Sequence, residues 1–181
     1  MKTMYVFLAD GFEEIEALAP IDVMRRAGLS VTTVSVTDSL TVTGAHGIPV
    51  VADTPFAQCD YADAALLFLP GGLPGATNLQ AHTGLCQLLT AKASQPDVII
   101  SAICAAPLVL GGLGLLQGKQ ATCYPGFEAY LGESYIDGLV VESKNIITAK
   151  GPGLSSDFAF CLVEKLAGSE VADQVYDAAQ Y

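Results

Sequence analysis

The chain has 181 residues, of which 51% are hydrophobic, so it is long enough to bury a core without disulfides or a structural metal. Its 19 acidic residues outnumber 8 basic ones, and the formal net charge of -11 repels phosphate backbones and anionic lipid surfaces. This charge argues against a nucleic-acid partner and against membrane association. The first residues lack the apolar region and cleavage site of a secretory signal, so we expect a cytoplasmic protein.

Short runs rich in valine and isoleucine alternate with helix-length segments, which is typical of a parallel sheet covered on both faces. The pattern predicts strands over residues 4–8, 31–36, 65–69, 98–103, 120–123 and 145–148, a hairpin over 42–51 and an edge strand over 139–143. It predicts helices over residues 13–27, 84–93, 106–116, 155–167 and 170–179. No repeat or linker divides the chain, so we predict one α/β domain spanning residues 1–181.

The cysteines are scattered and form no metal-binding motif. The chain contains Cys59, Cys86, Cys104, Cys123 and Cys161, with no CxxC pair and only two histidines, His46 and His82. An odd number of cysteines in a cytosolic chain favours free thiols. We therefore predict no metal site, and interpret most of these cysteines as small buried hydrophobes.

A candidate nucleophile follows the predicted strand 98–103. That strand runs directly into Cys104, with Ala102 and Ala106 two positions on either side. A nucleophile on a sharp strand-to-helix turn needs small residues at these positions, because the chain passes close to itself there. The free N–H groups and positive end of the following helix favour the thiolate, so we expect a lowered pKa for Cys104.

Backbone amides at two strand ends are candidates for holding an oxyanion. The predicted strand 65–69 ends in Pro70 and a glycine pair, where N–H groups can approach a bound oxygen without an intervening side chain. The N–H groups of Gly72 and Ala105 could together hold the oxygen formed when Cys104 attacks a carbonyl.

The first predicted helix contributes a carboxyl group. Glu16 shares a face with Ala19 and Val23, so it is expected on the apolar side, whereas Glu13 and Glu14 are expected to face water. A carboxyl close to a thiolate should keep its proton, because two neighbouring negative charges are costly. We therefore predict that a protonated Glu16 donates a hydrogen bond to Cys104.

Four ordered blocks of the sequence together resemble a known family. The blocks are ADGFEEIEALAPIDVMRRAG at 9–28, LPGGLPGATNL at 69–79, AICAAP at 102–107 and KGPGLSSDFAF at 150–160. They resemble the ThiJ/PfpI superfamily, in the branch of the parkinsonism-associated protein deglycase and bacterial YajL-like proteins. The resemblance implies a flavodoxin-like three-layer sandwich with a mainly parallel central sheet, related to class I glutamine amidotransferases, and a homodimer. The family's reactive cysteine matches Cys104, its protonated glutamate Glu16 and its oxyanion-site glycine Gly72.

Two positions depart from relatives of this family. Tyr124 stands before Pro125, where the human branch has a histidine, and His46 lies in a loop where relatives usually carry an arginine. A phenol with an ordinary pKa near 10 is no general base at neutral pH, although its hydroxyl can position a substrate. A Cys-His-acid triad is therefore in doubt. His46 is either at the rim of the pocket or a solvated loop histidine, and is not placed in the catalytic set.

The resemblance implies a cofactor-independent glyoxalase or deglycase that acts on small α-oxoaldehydes or their glycated adducts. The alternative is a redox-sensing stress-response chaperone whose Cys104 oxidises to a sulfinate, since an accessible thiolate serves either purpose. A cysteine peptidase is disfavoured by Tyr124. Thiazole monophosphate biosynthesis, another label of this branch, is disfavoured because nothing in the sequence forms a phosphate site.

Overall fold

The computed structural model describes residues 2–181 and is built around a seven-stranded sheet. The described residues form strands β1 (Thr3–Leu8), β2 (Ser30–Ser35), β3 (Thr41–Thr43), β4 (Pro49–Val51), β5 (Thr54–Pro55), β6 (Ala64–Leu69), β7 (Ile99–Ile103), β8 (Val140–Ser143) and β9 (Ile146–Ala149). The helices are α1 (Glu14–Arg26), α2 (Gly75–Ala81), α3 (Thr83–Lys92), α4 (Pro107–Gly112), α5 (Glu128–Leu131), α6 (Ser155–Ala167) and α7 (Ser169–Ala178).

The sheet is mainly parallel, with strand order β5-β2-β1-β6-β7-β9-β8 and only β8 running antiparallel, against β9. Every residue of β1, β6 and β7 is buried, which explains why these strands are apolar almost throughout instead of alternating. Because their carboxyl ends meet at one edge of the sheet, the turns that follow them are brought together there.

Two groups of helices cover the sheet. Helix α6 packs against α1 and α7, while α2 packs against α3 and α4, and α4 against α5. The result is the flavodoxin-like three-layer α/β arrangement that the family resemblance implied, and it confirms the parallel sheet predicted from the sequence pattern. Among residues 2–181, no helix combines the length and apolar character needed to cross a bilayer.

The predicted hairpin and edge strand are confirmed as β3–β4 and β8, but the predicted strand over 120–123 is wrong, the predicted helix over 106–116 ends at Gly112, and one helix was missed. Residues 120–123 form no strand and make only an isolated bridge between Ala121 and Tyr135. The reason is that side-chain hydroxyls take the neighbouring backbone N–H groups: Ser143 accepts from Gln120, and Thr148 accepts from Thr122. Helix α2 was not predicted, because its glycine and proline surroundings favour a turn.

A contact between two fully buried aromatic rings of the core provides a test of the packing. Phe158 on α6 is fully buried, and its ring centroid lies 5.4 Å from that of Phe68 on β6. We predict that Phe158→Ala lowers the free energy of unfolding by about 3–5 kcal/mol, because it removes buried surface and leaves a cavity. Leu139→Ala is the control, since Leu139 is 64% exposed and its truncation should cost less than about 0.5 kcal/mol. Equal losses in denaturant titrations of the two variants would contradict this packing.

Candidate active site

Cys104 occupies a tight turn between β7 and α4. Its φ is 62°, in the left-handed region that costs a residue with a side chain about 1–3 kcal/mol. Two backbone hydrogen bonds hold this conformation: Cys104 donates to the carbonyl of Ala149 at 2.9 Å, and its own carbonyl accepts from Tyr124 at 2.8 Å. The turn therefore has the strained geometry of a nucleophile elbow.

Small buried residues allow the turn to close around the cysteine. Ala102 and Ala106 are both completely buried, as the sequence pattern requires. The backbone N–H groups of Gly72 and Ala105 are close enough to the sulfur of Cys104 to lower the pKa of its thiol, so both favour the thiolate. The residue is 9% exposed, so it lies just beneath the surface. The structure thus brings Cys104 together with both amides predicted from the sequence.

Glu16 projects from the first turn of α1 towards the same cysteine. Its side chain is fully buried and interacts with the thiol of Cys104. The N–H of Gly71 donates to Glu16 Oε2 at 2.9 Å. Glu16 Oε1 is also buried but forms no well-aligned hydrogen bond with any of residues 2–181. One carboxyl oxygen is therefore fixed, and the other remains free for a proton or for a substrate.

Gly71 is a site residue that the sequence did not single out. A Cβ at this position would lie 2.7 Å from Cys104 Cβ and would also collide with Glu16 Oε2. Its carbonyl accepts from the N–H of Glu13 at 2.9 Å, so the same residue binds the start of α1 through both backbone groups. The glycine pair in the sequence was the available signal, but it did not show which glycine the carboxyl contacts.

The pKa values of the two acidic groups reflect their burial and their contact. Burial is the largest effect on Glu16 and raises its pKa to about 7. The charge of Glu13 also raises this pKa, whereas the hydrogen bonds with Cys104 and with the N–H of Gly71 lower it. Burial and then the charge of Glu16 raise the pKa of the Cys104 thiol, while the N–H groups of Gly72 and Ala105 oppose that rise.

We expected the turn and the following helix to lower the pKa of Cys104. Beside an ionised Glu16 this expectation is wrong, because the pKa of the thiol is raised. Burial and the neighbouring charge outweigh the two amides. Because the groups are in contact, their first ionisation belongs to the pair and leaves one proton and one negative charge shared between oxygen and sulfur.

Tyr124 adjoins the turn that holds Cys104, through its backbone hydrogen bond to that residue. Its side chain is 45% exposed, and a Cβ added to Gly151 would come within 3.1 Å of its ring. The ring forms one wall of a shallow cavity of about 270 Å³, which is also lined by Pro125, Lys150 and residues 151–154. The residues that line this cavity do not include Cys104, Glu16 or Gly72, so contact of Tyr124 with a substrate stays a prediction.

Glu14 does not face water as expected. Its carboxylate is buried and accepts hydrogen bonds from the backbone N–H and ring Nδ1 of His46, at 2.8 Å and 2.9 Å. These bonds hold the pKa of Glu14 below its usual value although burial acts to raise it, and the two glutamates raise the pKa of His46. The other histidine, His82, accepts from the N–H of Leu85, so neither ring is hydrogen-bonded to Cys104.

These features define a class of protein: a parallel α/β sandwich with a buried cysteine-glutamate pair at the carboxyl ends of its strands. Comparison with known proteins gives the family. The model described as "DJ-1/PfpI family" matches residues 2–165. The chain belongs to the DJ-1/PfpI family.

Individual relatives support this assignment. The chain is 36% identical over 177 residues to "Protein dj-1beta" of Drosophila melanogaster, covering 96% of this chain and 94% of the relative. It is 39% identical over 178 residues to "Protein DJ-1 homolog A" of Arabidopsis thaliana, covering 96% of this chain but only 45% of that protein. The chain thus spans less than half the length of this Arabidopsis relative.

Two further similar proteins are one named as a protease and one of known structure. The chain is 33% identical over 155 residues to the "Putative cysteine protease YraA" of Bacillus subtilis, covering 83% of this chain and 90% of that protein. The structure described as "Toxoplasma gondii DJ-1, oxidized" superimposes with a TM-score of 0.95 at 34% identity, covering 100% and 99% of the two chains. The homodimer and the cytoplasmic location stay predictions.

The shared proton predicts the pH dependence of Cys104 alkylation. Because the pKa of Glu16 is about 7 and its ionisation belongs to the pair, iodoacetamide should react with Cys104 with a midpoint near that pH. In Glu16→Gln the thiol ionises alone in a buried site, so the midpoint should move upward. Peptide mass spectrometry after timed alkylation measures the reaction at Cys104 specifically.

Glu13→Gln is the matched control for this measurement. The charge of Glu13 raises the pKa of Glu16, so its removal should move the midpoint slightly downward, opposite to the effect of Glu16→Gln. A midpoint that is identical in the parent and in Glu16→Gln would show that the two groups are not coupled.

Proposed function

We propose that this protein is a cysteine-dependent, cofactor-independent glyoxalase or deglycase-like enzyme that acts on small α-oxoaldehydes or their adducts. The observation that supports this most directly is the meeting of a nucleophile, two amide donors and a proton-carrying carboxyl around Cys104. Membership of the DJ-1/PfpI family supports a function like that of its DJ-1 relatives.

The reaction begins with attack of the Cys104 thiolate on the aldehyde carbon. A carbon–sulfur bond forms, and the electron pair of the carbonyl moves onto its oxygen. The N–H groups of Gly72 and Ala105, which favour the thiolate in the free protein, stabilise the charge of this oxygen. The oxygen then takes the proton of Glu16, giving a neutral hemithioacetal and a carboxylate base.

The second stage moves a proton between adjacent carbons. The Glu16 carboxylate removes the hydrogen of the former aldehyde carbon as a proton and returns it to the neighbouring carbon. The hydroxyl proton of the hemithioacetal moves to the neighbouring carbonyl oxygen, so that this carbonyl becomes a hydroxyl and the former aldehyde carbon regains a carbonyl. The aldehyde carbon is thereby oxidised to a thioester while its neighbour is reduced, so no external oxidant is needed. Water hydrolyses the thioester, releases a hydroxy acid and restores Cys104.

Burial of Glu16 suits this role. A carboxyl with a pKa of about 7 both gives and takes a proton readily near neutral pH, which is the property of an efficient acid-base catalyst. Its oxygen Oε1 has no fixed partner among residues 2–181, so it can approach the substrate while Gly71 holds Oε2.

The proposal predicts the behaviour of site variants towards methylglyoxal. Cys104→Ser should abolish lactate formation, because the weakly acidic hydroxyl cannot supply the nucleophile. Glu16→Gln should reduce kcat by about 10²–10⁴, the usual contribution of a general acid-base group. Enzymatic lactate determination on highly purified protein measures both.

Cys86→Ser is the matched control, since Cys86 lies on α3 and donates to the carbonyl of Gln80 instead of joining the site. It should leave turnover unchanged. Full activity in Cys104→Ser would remove the proposed chemistry, and full activity in Glu16→Gln would remove the proton-transfer role.

A second candidate function is redox sensing. One similar structure is described as an oxidised DJ-1. In this chain, Oε1 of Glu16 has no hydrogen-bond partner among residues 2–181 and belongs to the same buried pair as the sulfur of Cys104. Two molecules of peroxide would each transfer one oxygen to Cys104 and leave as water, giving a sulfinate. A protonated Glu16 and the amides of Gly72 and Ala105 would stabilise its oxygens.

Intact-mass measurement after mild peroxide treatment separates the two functions. Addition of two oxygens at Cys104 alone, with Cys86 and Cys161 unmodified and slow aldehyde turnover, would favour sensing. Fast turnover at low aldehyde concentration without selective oxidation would favour the enzyme. A peptidase is less well supported, because His46 pairs with Glu14 and His82 with the backbone of Leu85.

A further inference from the structure

Three ligand-type side chains from two distant segments meet at the start of α1. Glu13 and Glu14 lie on one segment, and His46 comes from the loop between β3 and β4. One ligand atom of each lies within 4.8 Å of the other two. We propose that this cluster binds a divalent transition-metal ion of the zinc type, through one imidazole nitrogen and two carboxylate oxygens.

The spacing of these atoms matches the coordination of such an ion. In a tetrahedral zinc site with bonds of about 2.0–2.1 Å, neighbouring ligand atoms are about 3.3 Å apart. His46 Nδ1 lies 3.5 Å from Glu13 Oε1 and 2.9 Å from Glu14 Oε2. The imidazole nitrogen is therefore at the required distance from each carboxylate oxygen to within a few tenths of an ångström, and the two carboxylates lie no more than 4.8 Å apart.

Hydrogen bonds already orient the buried carboxylate. Glu14 Oε1 accepts from the backbone N–H groups of His46 and Ile48, at 2.8 Å and 3.4 Å. Its other oxygen, Oε2, is left facing the imidazole. This is the arrangement in which outer-shell donors fix a ligand and raise metal affinity. Glu13 is held as well, because its N–H donates to the carbonyl of Gly71.

Charge and access also favour a cation. Two carboxylates and a neutral imidazole together carry a charge of about -2 that a divalent ion neutralises. On binding, a neutral ring moves its proton from Nδ1 to Nε2 through water, whereas a charged ring loses the Nδ1 proton to solvent; in both cases the lone pair of Nδ1 then coordinates the ion. The side chain of His46 is 67% exposed, so an ion can enter from water and keep a water molecule in the fourth position.

The proposed ion is separate from the reaction at Cys104. The sulfur is not one of the three ligand atoms, and the glyoxalase steps need no metal. An ion here would join the loop between β3 and β4 to the N-terminus of α1. Its role is then to fasten this loop beside the pocket, and the proposal does not depend on the proposed enzymatic function.

Zinc titration of chelator-stripped protein by calorimetry tests the proposal. The parent and Cys104→Ser should both bind one Zn²⁺ with the same affinity, since the thiol is not a ligand. His46→Gln and Glu13→Gln should each weaken binding by at least about tenfold. His82→Asn is the matched control, because it removes the other imidazole while keeping an acceptor for the N–H of Leu85.

A spectroscopic measurement gives a readout that folding alone does not change. The chain has two histidines, so ring ¹⁵N signals assign directly by comparison with the variants. Zinc should shift the ring signals of His46 and leave those of His82 in place. Parent-like affinity in both His46→Gln and Glu13→Gln, loss of binding in Cys104→Ser, or no binding by the parent would each overturn the proposal.

Discussion

Two acidic groups that are buried in contact cannot both carry a charge, and the proposed chemistry depends on this constraint. Glu16 is fully buried and Cys104 nearly so, and burial raises the pKa of both. One proton must therefore remain in the pair through the neutral pH range. The amides of Gly72 and Ala105 favour the form in which the sulfur holds the charge and the carboxyl holds the proton. Reactivity thus comes from shared protonation rather than from an isolated thiolate.

The fold provides this contact by joining three parts of the chain that are far apart in sequence. Strand β7 ends at the cysteine, the turn after β6 supplies the glycine pair, and α1 supplies the carboxyl. Gly71 connects the last two, since its N–H and its carbonyl both bond to the first turn region of α1. The parallel sheet aligns these ends, and short backbone hydrogen bonds set their separation.

Local patterns in the sequence were enough to identify the central strands and the nucleophile turn. The apolar runs at 4–8, 65–69 and 98–103 correspond to fully buried strands, and small residues flank Cys104. Residues 120–123 were also predicted as a strand, yet hydroxyls from Ser143 and Thr148 accept their backbone N–H groups in place of a strand partner. Such pairings depend on residues more than twenty positions away and leave no local signal.

The same limit explains the features of the site that the sequence did not reveal. Burial of Glu14 depends on His46, which is 32 positions further along the chain. The raised pKa of Cys104 depends on how deeply the folded sheet encloses it. Helix periodicity placed Glu16 on the apolar face, but only the folded chain shows that Gly71, and not Gly72, donates to its carboxylate.

The left-handed backbone of Cys104 has a consequence for how this protein tolerates change. Glycine would adopt φ of 62° without strain, so the position is occupied by a residue that makes the folded state less stable than it could be. Selection for thermal robustness alone would drift towards glycine there and would lose the sulfur. A cysteine at such a position keeps a reactive group at a cost in stability, which is the usual relation at functional sites.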